Sequence, residues 1–212
     1  TDVPAGDIGV GGREVGFMAG TMKKLSNRAD CVFTGKGLSF GGSLMRPEAT
    51  GYGTVYFAQE VLKHAGRSLD GMRVSVSGSG NVAQFAVEKA MSQGAKVVTV
   101  SDSSGTIVDE AGFTPEKLAI LAEVKNHLYA RLDEYARRTN VTFLPGAKPW
   151  HVPVQVALPC ATQNELTGED ARALVNNGVI CVAEGANMPS TAEAVECFLH
   201  NKVLYAPGKA SN

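Results

Sequence analysis

Val74-Ser75-Val76-Ser77-Gly78-Ser79-Gly80-Asn81-Val82-Ala83 runs a β-branched stretch into a glycine turn, and a helix-forming segment, Gln84 to Met91, follows at once. Strand, turn and helix in that order are the setting in which a Gly-x-Gly turn binds a dinucleotide. Gly78 permits the tight turn, and Gly80 carries no side chain to hold a pyrophosphate away from the backbone. The helix that follows aims unpaired N–H groups and the positive end of its dipole at the phosphates. Ala83 stands where a third glycine is usual, and a bare Gly-x-Gly also fits an ordinary strand-to-helix turn. The sequel favours the nucleotide. A second apolar strand, Ala95 to Val100, ends at Ser101-Asp102-Ser103-Ser104-Gly105, which places an acid roughly 20 residues beyond the glycines, where a ribose contact is expected. Gly78, Ser79, Gly80, Asn81, Val82, Asp102 and Ser103 are therefore candidate cofactor contacts.

Outward from this unit, strands and helices alternate. Val154 to Pro159 reads as a buried strand that ends in Cys160-Ala161-Thr162-Gln163-Asn164-Glu165, and Val179 to Ala183 as another, ending in Glu184-Gly185-Ala186-Asn187. Polar groups gathered after parallel strands lie on the ligand side of such a sheet. Helices are expected over Pro47 to His64, Pro115 to Arg138, Gly168 to Asn176 and Thr191 to Leu199, and short strands over Val141 to Leu144 and Val203 to Tyr205. The fold class is α/β: a Rossmann-like, doubly wound, mostly parallel sheet over 44–212. Residues 1–43 read as the end of another α/β domain. There a glycine-rich loop holding Asp7 precedes a helix, Arg13 to Leu25, with Met18 and Met22 in its core face, and Cys31 to Thr34 reads as a strand. Trp150 is expected to anchor a loop. On local grounds Asp7 suits a turn or helix cap, and Thr50 suits either a ligand contact or a bond to its own helix.

A formal charge of −1 gives no basis for nucleic acid or an anionic membrane as principal partner. No apolar run reaches the roughly 18 residues of a membrane span. The four cysteines, Cys31, Cys160, Cys181 and Cys197, form no Cys-x-x-Cys pair, and Cys197-x-x-His200 stands alone, so no metal site is expected. A reduced, cytoplasmic protein is the simplest reading. The chain opens at Thr1 and stops at Asn212, which reads as a segment of a longer polypeptide.

Six motifs carry a resemblance: Asp2-Val3-Pro4-Ala5-Gly6-Asp7, Thr34-Gly35-Lys36, Arg46-Pro47-Glu48-Ala49-Thr50-Gly51-Tyr52-Gly53, Gly78-Ser79-Gly80-Asn81-Val82-Ala83, Pro159-Cys160-Ala161-Thr162-Gln163-Asn164 and Glu184-Gly185-Ala186-Asn187-Met188-Pro189. Together, and in this order, the sequence resembles the glutamate dehydrogenases in their bacterial, NADP-dependent, hexameric branch. The resemblance implies a longer protein, homohexameric when complete, that interconverts L-glutamate with 2-oxoglutarate and ammonium. It implies Asp7 as the catalytic aspartate that relays protons at the amino nitrogen, with Gly6, Ala5 and Thr34 in the substrate pocket and Arg46 at the domain junction. Thr50 and Asn81 match coenzyme contacts, and Ala161, Thr162 and Asn187 the nicotinamide end of the cleft. The family's catalytic and carboxylate-binding lysines would precede Thr1, and a further substrate-binding serine would follow Asn212. A leucine- or phenylalanine-type dehydrogenase shares this architecture. A segment that binds coenzyme without turnover is the other alternative.

For the coenzyme, the residues pull two ways. A carboxylate at Asp102 ordinarily favours NAD, because it repels a 2′-phosphate. Ser79, Ser103 and Ser104 are small hydroxyl donors suited to that phosphate, and Lys125 or Arg131 would bring positive charge. NADP is expected ahead of NAD.

Overall fold

The computed structural model describes residues 3–28, 32–43 and 47–212. Cys31 and Arg46 lie outside the described residues. The chain divides into two units, Thr1–Pro47 and Glu48–Asn212.

In the first unit, helix α1 (Gly12–Ser26) is closed by Asn27 in the left-handed region (φ 51°). Val15 and Ala19 are buried, whereas Met18, Met22 and Leu25 are exposed. The expected methionine core face is thus corrected. The covered row runs through Gly16 and Gly20, which lie against the Phe40 ring, so the small residues take the packed side. Val32 to Thr34 is loop and turn rather than the expected strand. Its backbone is tied to another loop instead, with Thr34 N donating to the Pro4 carbonyl at 3.1 Å.

The second unit is a seven-stranded sheet. Its strands are β1 (Arg73–Val76), β2 (Lys96–Asp102), β3 (Gly105–Val108), β4 (Thr142–Pro145), β5 (Val156–Leu158), β6 (Cys181–Ala183) and β7 (Leu204–Ala206). The order is β4-β3-β2-β1-β5-β6-β7, parallel from β2 through β7. Only the β3 pairings are antiparallel. Both faces are covered. On one, Val55, Ala58 and Leu62 of α2 (Ala49–His64) and Ala83, Ala86, Val87 and Ala90 of α3 (Asn81–Ser92) pack on Val74, Val76 and Val97. On the other, Val98, Ala157 and Val182 meet Trp150, Leu174 and Phe198. Neighbouring strand residues point to opposite faces, so strands covered on both sides need the continuous apolar runs read from the sequence. Gly51 lets α2 and α3 touch: a Cβ there would fall 2.6 Å from the Val82 carbonyl oxygen and 2.7 Å from Ala86 N.

Two expectations change here. The stretch after β2 is a hairpin, with Ser103-Ser104 as its two-residue turn and Asp102 paired across to Gly105. The helix expected over Pro115 to Arg138 is two, α4 (Pro115–Ala122) and α5 (Leu132–Thr139). A π-helical segment, Glu123–His127, widens the first as it ends, and Tyr129 in the left-handed region (φ 52°) turns the chain. Helices α6 (Gly168–Asn176), α7 (Ala192–His200) and α8 (Gly208–Ser211) complete the unit.

Candidate functional site

The strand order reverses beside β1, whose connection to β2 leaves to one side while β5 lies on the other. A crevice opens at the carboxyl ends of strands flanking such a switch point, and ligands of doubly wound sheets bind there. The glycine turn sits in this position. Gly78 is in the left-handed region (φ +82°), and a Cβ on it would lie 2.9 Å from the Cys160 carbonyl oxygen. Its N–H donates to Ser101 Oγ at 3.0 Å, so the turn is stitched to β2 on one side and crowded by the loop after β5 on the other. Gly80 is different. A Cβ there would meet nothing within 4 Å, which leaves open space at the mouth of α3, whose first N–H groups have no helical acceptor. Those groups, that space and the dipole fit a diphosphate.

Around the turn stand most of the expected cofactor contacts. Asn81 and Val82 open α3. Thr50 lies in the first turn of α2, next to Gly51, which packs against the start of α3. Ala161 closes on the turn: its Cα would be 3.3 Å from a Cβ on Gly78. Thr162 and Asn187 are exposed on the loops after β5 and β6, and these loops are joined by Asn164 N donating to the Met188 carbonyl at 2.8 Å. Ser79 is buried. Asp7, Gly6, Ala5 and Thr34 belong to the first unit. There Asp7 begins an exposed turn, its carbonyl accepting from Val10 N at 2.9 Å, and Thr34 lines an open cavity of about 510 Å³ with Val3, Lys36 and Ser43.

Asp102 has a role that the sequence did not disclose. One carboxylate oxygen accepts from Ser104 N (2.8 Å) and Ser104 Oγ (2.5 Å). The other accepts from Lys125 Nζ (3.0 Å) and Leu132 N (3.2 Å). A carboxylate offers about four acceptor sites, so Asp102 is saturated by its own protein, with its side chain 8% exposed. Burial alone would raise its carboxyl; the bonds from Ser104 and Lys125 outweigh that and hold it below its ordinary range. The charge is thereby neutralised in place. Beside it, Arg131 Nη1 donates to the exposed Ser103 Oγ at 2.6 Å. The rim beyond β2 therefore presents hydroxyls and a guanidinium in front of an already compensated acid.

Glu165 is a second residue that sequence reasoning did not single out; its only signal is an acid closing the polar tail of a buried strand. Its Oε1 accepts from Ser77 Oγ (2.8 Å) and Ala161 N (3.1 Å), and Ser77 Oγ in turn accepts from Cys160 N (2.9 Å). These bonds fold the loop after β5 against the end of β1. Desolvation pushes the Glu165 carboxyl up to about 7, against the opposing bonds from Ser77 and the loop backbone. Burial likewise raises the Cys160 thiol, which keeps it neutral rather than nucleophilic. Glu184 fixes the last rim loop, accepting from Tyr205 Oη and Gly208 N, both at 2.8 Å.

A doubly wound sheet with an open glycine turn at its switch point defines a Rossmann-like domain. The chain belongs to the Glutamate/Leucine/Phenylalanine/Valine dehydrogenase family, whose model matches residues 41–212. It is 68% identical over 212 residues to the NADP-specific glutamate dehydrogenase of Salmonella typhimurium, covering 100% of this chain and 47% of that protein. The NADP-specific glutamate dehydrogenase of Escherichia coli is 66% identical, with the same coverage. Among solved structures, Plasmodium falciparum glutamate dehydrogenase superposes with a TM-score of 0.89 at 47% identity, over 100% of this chain and 45% of that one. The chain thus spans about half the length of the curated relatives it matches.

Proposed function

We propose that the protein to which this chain belongs is an NADP-dependent glutamate dehydrogenase, catalysing the reversible oxidative deamination of L-glutamate to 2-oxoglutarate and ammonium. The observation that carries this reading is 68% identity along the entire chain to an enzyme of that name, joined to an edge beyond β2 where the Asp102 carboxylate is already neutralised by Lys125. Residues 44–212 form the coenzyme domain, and residues 1–43 the end of the substrate domain. Cytoplasmic location is consistent with the free thiols of Cys160, Cys181 and Cys197. Assembly as a homohexamer follows from the family resemblance.

The coenzyme, when bound, supplies or accepts the hydride. The residues of this chain hold it and manage protons. Gly80, Asn81 and Val82 give their N–H groups to the diphosphate. Ser103 and Arg131 meet the 2′-phosphate, with Lys125 cancelling the Asp102 charge that would otherwise repel it. This makes Asp102 a positioning residue rather than a ribose ligand, since a ribose hydroxyl would have to displace one of its four present donors. Thr50, Ala161, Thr162 and Asn187 line the crevice. Asp7 exchanges a proton with the amino nitrogen of the substrate, and Gly6, Ala5, Thr34 and Arg46 shape its pocket.

The test is an assay of the whole protein with L-glutamate, L-leucine or L-phenylalanine and either coenzyme. Fastest turnover with glutamate and NADP⁺ supports the reading. Faster turnover with leucine or phenylalanine would replace it with the rival specificity, and coenzyme binding without any turnover would leave only a binding module.

A further inference from the structure

Two amides outside the phosphate turn connect it to the basic edge. Gln84, buried in the first turns of α3, donates from Nε2 to the Ser79 carbonyl at 2.8 Å and to Asn126 Oδ1 at 3.2 Å. Asn126 Nδ2 returns a bond to Gln84 Oε1 at 2.9 Å. Asn126 lies in the π-helical segment Glu123–His127, adjacent to Lys125, and the turn that follows leads to Arg131. Widened helical turns of this kind are rare and recur at functional sites.

We infer that Gln84 and Asn126 are positioning residues that fix the distance between the Gly78–Gly80 turn and the Lys125–Arg131 edge, so that the diphosphate and the 2′-phosphate of one coenzyme are met together. This rests on the coenzyme reading above. Each half of the pair has its own task. A trans peptide is planar, with C=O and N–H on opposite sides. Pinning the Ser79 carbonyl to Gln84 therefore turns the Gly80 N–H the other way within the same peptide plane. The reciprocal bond to Asn126 carries that fixed point across to the segment that holds Lys125 on Asp102 and brings Arg131 to Ser103. A diphosphate alone needs only the first task, whereas a coenzyme with a 2′-phosphate needs both.

The two tasks separate in an experiment. The whole protein would be titrated with NADP⁺ and NAD⁺ by calorimetry, as wild type, Gln84→Leu, Asn126→Leu and the exchanged pair Gln84→Asn/Asn126→Gln, which keeps the summed reach of the two side chains. Asn126→Leu leaves the bond to Ser79, so NADP⁺ affinity should fall about tenfold while NAD⁺ affinity stays within about twofold. Gln84→Leu frees the turn peptide and should weaken both coenzymes. The exchanged pair should recover most of the NADP⁺ preference. An Asn126→Leu protein that keeps the wild-type ratio of the two affinities, or weakens both coenzymes equally, would overturn the inference. So would an exchanged pair no better than the single variants. A wild type without preference for NADP⁺ would remove the coenzyme reading itself, and this inference with it.

Discussion

Glu165→Gln tests the electrostatics of the crevice with a predicted sign and size. The folded protein raises this carboxyl from 4.5 to about 7, so the folded chain binds the proton more tightly than the unfolded chain does. Well below 4.5 both forms are protonated and nothing is lost. As pH rises through this window the unfolded chain ionises first and stability falls; above about 7 both are ionised and the loss is constant. A shift of about 2.5 units corresponds to about 3 kcal/mol. Glutamine keeps an oxygen for Ser77 Oγ and Ala161 N but carries no charge to desolvate. Relative to wild type, the variant should therefore gain up to about 3 kcal/mol between acid and mildly alkaline pH, or roughly 6–12 °C in the melting temperature of a domain this size. Thermal unfolding across that pH range is the assay. A difference between variant and wild type that stays constant with pH would refute the argument, because a group that does not titrate in the window leaves no slope.

Gly51→Ala should destabilise the second unit by about 1–3 kcal/mol in a melting experiment, since overpacking against the α3 backbone outweighs the roughly 1 kcal/mol of helix propensity that alanine gains. An unchanged or raised melting temperature would show that α2 moves aside freely. Lys125→Met should weaken NADP⁺ binding at least about tenfold and NAD⁺ less, because the Asp102 carboxylate then faces the 2′-phosphate uncompensated. Equal losses for the two coenzymes in a titration would count against that role.

Much of this was legible in the residues, and the failures have physical causes. The β1 strand, its glycine turn and α3 follow from β-branched residues, punctuation and period alone. Strands at β5 and β6 announce themselves because both sheet faces are covered and apolar runs result. The antiparallel β3 escapes the sequence reading although Thr106-Ile107-Val108 is β-branched: an alternating α/β pattern leads to the expectation of a helix after β2, and the two-residue serine turn does not carry the usual Asn-Gly signal. The break between α4 and α5 has no proline to mark it, only Tyr129 in a conformation that the sequence does not advertise. Asp102 shows the limit of motif reading most clearly. Its position matches a ribose ligand, yet beside the two bonds from neighbouring Ser104 its other oxygen is filled by Lys125 and Leu132, residues that only the fold brings to it.

The central claim is that the open space over Gly80 belongs to a coenzyme diphosphate. Gly80→Ala adds one methyl group where no protein atom lies within 4 Å, at an ordinary helix-entry conformation (φ −84°), so folding should be unaffected. Titration of this variant with NADP⁺ beside the wild type is the direct measurement. The account predicts an unchanged melting temperature and an affinity reduced by at least about tenfold. Wild-type affinity in the variant would contradict it.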